Sequence, residues 1–153
     1  MSIFAYTLCF EIAILSALIY SAHFDYKNNT IPIFVFSILL AFIIPISVIA
    51  KQFNIIESIF GTLIGISVFL LMALFFEGGG GDVLMMGVLG WILGIRGIAF
   101  LILASSLTYC SFATGAMLVN CVCKRKNDLR KQYPFAPFVL VGYVVYLFTS
   151  YLF

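Results

Sequence analysis

Two aspartates carry the chemistry this sequence is equipped for. Asp82 closes the run Glu77-Gly-Gly-Gly-Gly-Asp82, directly after an apolar stretch, Ser58 to Phe76, long enough to cross a bilayer. Asp25 stands before a short polar segment that ends in Ile31-Pro32. Charge is costly at membrane depth, so a carboxylate there is a functional candidate by default. Two carboxylates facing each other across a small gap do not easily ionise together, and one keeps a proton while the other is charged. Such a pair supplies what peptide hydrolysis needs without a metal or other cofactor: a base to activate water and an acid to protonate the departing amine. Its protons titrate as a unit. Gly79, Gly80 and Gly81 remove side-chain bulk beside Asp82, so another peptide backbone could approach it closely.

The elements that must position these acids are membrane helices. The 153 residues are 64% hydrophobic and 9% charged, against a charged share of roughly 25% in soluble domains. No soluble fold of this size could bury so much apolar surface. The net charge of +2 is spread over few residues between apolar segments, which gives no footprint for nucleic acid. A spanning helix needs about 20 mainly apolar residues, and the chain offers six such segments, at 3–22, 31–50, 58–76, 79–95, 98–123 and 134–153. The expected fold is therefore all-α, a polytopic helix bundle of about six transmembrane helices forming a single domain over residues 1–153. Pro45 inside the second span is tolerated as a kink.

Alternating connections put Lys27, Lys124, Arg125, Lys126, Arg130 and Lys131 on one side, and Lys51 and Arg96 on the other. The basic side should be cytoplasmic. That places both termini outside, and Asp25 and Asp82 together on the cytoplasmic side. From Asp82 to Arg96 is about 14 residues, or roughly 21 Å of helix, against a hydrocarbon core of about 30 Å. Arg96 snorkels outward, or Asp82 is recessed, or both. Gly61, Gly65, Gly87, Gly90, Gly94 and Gly97 recur at spacings that let neighbouring helices pack closely.

Other polar residues have plainer readings. Asp25 could be a solvated helix-end carboxylate near Lys27, and Asp82 an N-cap. Glu11 lies about 14 residues, roughly 21 Å of helix, from Asp25 and reads as a protonated, hydrogen-bonded packing residue. Glu77 is expected to be solvated at a helix end. His23, the only histidine, does not share a helix face with Asp25, which disfavours a serine mechanism. The basic cluster from Lys124 to Lys131 reads as an anchor to anionic lipid heads. Cys9, Cys110, Cys121 and Cys123 form no C-x-x-C pair and behave as small hydrophobes in apolar segments. The first apolar segment lacks a positive n-region and a small-residue cleavage site, so it is expected to be a retained helix.

The motifs resemble those of the type IV prepilin peptidases. The residues that carry the resemblance are Asp25-Tyr-Lys-Asn-Asn-Thr-Ile31-Pro32, Gly79-Gly80-Gly81-Asp82 and Tyr133-Pro134-Phe135-Ala136-Pro137-Phe138. The resemblance implies a multi-pass aspartic endopeptidase of the bacterial or archaeal cytoplasmic membrane, with its active site facing the cytoplasm. Asp25 and Asp82 would be its catalytic pair, and a prepilin or pseudopilin, cut after a short basic leader, its substrate. The short His23–Thr30 connection lacks the zinc-binding insert of larger, methylating members, and the size is similar to the branch serving tight-adherence pili. Leu84 stands where many members have Lys, and Ile33 where many have Asn. Presenilin-type proteases share Gly-x-Gly-Asp, but their other Asp lies in a different context. The rival class is a small transporter or a pilus or secretion assembly subunit, binding ions or protons with the same carboxylates.

Overall fold

A computed structural model describes residues 3–28, 30–50, 54–76, 79–122 and 134–152. They form five helices: α1 (Ile3–Asn28), α2 (Ile33–Ala50), α3 (Ile55–Phe76), α4 (Gly80–Val122) and α5 (Ala136–Leu152). Two, α3 and α4, are long and apolar enough to cross a membrane, and α2 and α5 contain shorter apolar stretches. The outward surface is apolar, with Phe34, Phe42, Leu63, Leu74, Leu103 and Phe148 all exposed. That surface suits lipid, which makes it no penalty to leave large side chains outside.

Two boundaries differ from those expected. First, α1 runs straight through His23 to Asn28, a segment expected to be a loop. Its polarity marks the membrane edge, but it contains neither Gly nor Pro, so nothing in the backbone stops the helix. Asp25 is thus a helical residue, and the connection to α2 shrinks to positions 29–32. Second, the expected break at Arg96-Gly97 falls at Gly94, within α4. Gly94 has φ 67° and ψ −171°, a region essentially closed to residues with a Cβ.

The chain doubles back at Gly94. A straight helix would carry Tyr109 about 35 Å beyond Met86. Instead, Met86 lies against Gly65, and one turn along α3 Phe69 meets Phe135 at 5.4 Å, whose ring lies 5.8 Å from Tyr109. The first limb of α4, 80–93, is only about 21 Å long, and Arg96 just past the bend is exposed.

Close packing explains the glycines. A Cβ on Gly61 would run into the Gly90 carbonyl, and one on Gly65 would sit 2.5 Å from the Met86 carbonyl oxygen. Backbone therefore touches backbone where α3 crosses α4, and this is the most extensive helix contact among the described residues. Dispersion between closely approaching backbones replaces the hydrophobic effect that lipid cannot supply. The second limb, 95–122, packs on α5, where Gly142 lies against Ser105. The buried centre is built from Leu18 of α1, Met85, Met86, Leu89 and Leu101 of α4, and Tyr143 of α5.

Candidate functional site: two aspartates at one end of the bundle

Asp25 lies near the end of α1 and is 5% exposed. Its Oδ2 accepts a hydrogen bond of 3.0 Å from the backbone N–H of Ala136. Ala136 opens α5, where the first N–H groups lack helical partners, so Asp25 caps a helix to which it does not belong. Pro137 has no N–H, which leaves Ala136 as the donor at this first turn. The plain reading of Asp25 as a solvated helix end is thereby excluded. The Tyr133–Phe138 motif marks the start of the last helix in the sequence, but nothing in it names Asp25 as its partner.

Asp82 is the third residue of α4, and its N–H donates to the Gly79 carbonyl at 3.1 Å. It is therefore inside the first turn, not at the cap. Its Oδ1 is buried and has no hydrogen-bond partner among the described residues, so the N-cap reading does not hold. Asp82 thus stands at the start of α4, next to the Gly81 on which Ile31 packs.

The two motifs also touch. A Cβ on Gly81 would lie 2.8 Å from the Ile31 Cβ and 3.1 Å from its carbonyl oxygen. Gly81 is bare, and the Ile31-Pro32 connection seats on the start of α4. Gly80 has nothing within 4 Å, and Gly79 has only Asp82 Oδ2 at 3.7 Å. The glycine turn is thus packed by the chain's own residues on one side and open on the other. Aromatic rings close the site toward the second limb of α4, with Phe135 and Phe138 edge-on to Tyr109 at 5.8 and 5.3 Å.

The remaining residues fall away from this centre. Leu84 packs against the apolar core, so it projects no polar group toward the acids. His23 is exposed. Glu11 accepts a hydrogen bond from the Tyr151 hydroxyl at the far end of α5, the hydrogen-bonded part of the role expected of it. Cys110 is a free, exposed cysteine, and no group of residues able to hold a metal occurs among the described residues. Glu77 and the Lys124–Lys131 cluster lie outside the described residues.

The described residues form an all-α bundle with an apolar exterior and two helices long and apolar enough to cross a membrane. Residues 12–114 match the model of the type IV leader peptidase family, and the chain belongs to that family. The match includes both aspartates and both motifs that touch at Gly81. No curated protein and no solved structure matches the chain.

Proposed function

We propose that the chain is a membrane-embedded aspartic endopeptidase that removes the leader of prepilin-like proteins at the cytoplasmic face of a bacterial or archaeal membrane. The observation that supports this reading best is the packing of Ile31, six residues beyond Asp25, on Gly81, next to Asp82, with Asp25 buried and bonded to the Ala136 N–H. Membership of the leader peptidase family supports it over the transporter reading.

In the proposed reaction the charged carboxylate takes a proton from a water molecule while the water oxygen bonds to the scissile carbonyl carbon. The protonated carboxyl then gives its proton to the amide nitrogen as the C–N bond breaks. One product ends in a carboxylate and the other begins with an amine. The open side of the Gly79-Gly80-Gly81 turn is where an extended leader strand would run. Gly81 also seats Ile31, so Gly80 is the position freest to meet substrate. The substrate's apolar helix would stay in the bilayer beside the exposed apolar faces of the bundle.

Co-expression with a prepilin of the same genome, followed by mass measurement of the mature protein, tests this reading. The expected product has lost its basic leader and begins directly before its apolar helix. An unprocessed substrate with every pilin tried contradicts the reading.

A further inference from the structure

Among the described residues, two buried side-chain polar atoms have no hydrogen-bond partner: Ser21 Oγ and Asp82 Oδ1. Orphaned buried groups are uncommon, because the desolvation they suffer is not returned. Here both belong to the helix ends that carry the acid pair. A hydroxyl is a donor and a carboxylate oxygen an acceptor, so the two deficits are complementary.

Ser21 stands one helical turn before Asp25, on the same face of α1. It is 0% exposed. In a helix, side chains lean toward the N-terminus, so the Asp25 carboxylate projects over the turn that holds Ser21. A helical serine has an easy default, the carbonyl four residues back. Ser105 takes it, donating to Leu101 at 2.6 Å, as do Ser37 to Ile33 and Ser111 to Leu107. Ser21 leaves that option unused. Its hydroxyl proton is therefore not committed to the backbone.

α1 packs mainly on α5, and α4 on α3 and α5, so the acids meet through a shared neighbour and not through interlocked side chains. Hydrogen bonds of a catalytic site are often unmade without substrate and tighten when it binds.

We propose that Ser21 is a positioning residue for Asp82. With substrate engaged, its hydroxyl donates to Asp82 Oδ1, which fixes the carboxyl rotamer and turns Oδ2 toward the scissile bond. Ser21 exchanges no proton with the substrate. A neutral donor suits the task, since a cation would disturb the balance of the acid pair. The inference rests on the two-aspartate reading above.

The test is steady-state cleavage of a prepilin by the purified full chain in nanodiscs, with melting temperatures measured alongside. Ser21→Ala should lower kcat on the order of tenfold to a hundredfold, because the Asp82 carboxyl is no longer held in its productive rotamer. Its melting temperature should not fall, because no existing hydrogen bond is removed. Ser105→Ala, which does remove one, should lose melting temperature and keep kcat. A Ser21→Ala enzyme with wild-type kcat overturns the proposal, and so does one whose loss of rate comes with a fall in melting temperature like that of Ser105→Ala. Asp25→Asn in the same assay separates the two ideas. If it is inactive while Ser21→Ala is normal, only the serine role fails; if it cleaves like wild type, the acid pair fails and the serine role with it.

Discussion

Asp25 and Ala136, 111 residues apart in sequence, are joined by a 3.0 Å hydrogen bond from backbone N–H to carboxylate. The bond ties the last helix to the first at the level of the acid pair. It gives Asp25 a capping duty on α5 that is separable from the chemistry proposed for it.

Those duties come apart under substitution. Asp25→Asn keeps an oxygen that can accept from Ala136, whereas Asp25→Ala does not. Both should lose cleavage by about a hundredfold to ten-thousandfold, the usual share of general acid–base groups. Only the alanine variant should also lose about 1 kcal/mol of stability as a missing cap, read from thermal unfolding in a single detergent.

The neighbouring glycines should behave in opposite ways. Gly81→Ala forces its Cβ to within 2.8 Å of the Ile31 Cβ, an overpacking that costs about 1–3 kcal/mol and loosens the seat between the motifs. Gly80→Ala meets nothing within 4 Å and should be neutral in stability, or better by up to about 1 kcal/mol as a helix former. Any loss of kcat/KM in Gly80→Ala then reports crowding of substrate.

The bend in α4 depends on a single conformation. Gly94→Ala places a Cβ at φ 67°, at a cost of about 1–3 kcal/mol. It should lower both the melting temperature and activity, because the second limb must return beside the first for Tyr109 to reach Phe135. Gly115→Ala, with open space around it, is the matched control and should unfold like wild type.

The clip at the other end of the first and last helices is testable by a double-mutant cycle. Tyr151→Phe and Glu11→Ala should each lower the melting temperature, and the double variant should be little worse than either alone, since both remove the one hydrogen bond. Additive losses contradict the pairing.

The two candidate aspartates and the helical class are legible because their signals are local. Asp25 before Ile31-Pro32 and Asp82 after its glycines are short motifs, and the apolar segments announce themselves by length. What escaped was set by backbone geometry or by contacts distant in sequence. Polarity at His23–Asn28 marks a membrane edge, yet it does not end a helix that lacks Gly or Pro. Arg96 looked like the end of a span because it is charged, but the backbone turns at Gly94, where the conformation requires glycine. Gly81 reads as space for a substrate, and only the fold reveals that Ile31 occupies one side of it. The Asp25–Ala136 bond has no signature in either segment alone.

The most direct measurement of the central claim is kcat/KM for cleavage of one purified prepilin by wild type, Asp25→Asn and Asp82→Asn, each confirmed as folded by its thermal transition. Two carboxyls sharing one proton act as a unit, so each single variant should fall by at least about a hundredfold, and the double variant should be no slower than the worse single. Cleavage at the wild-type rate by either folded variant contradicts the two-aspartate site.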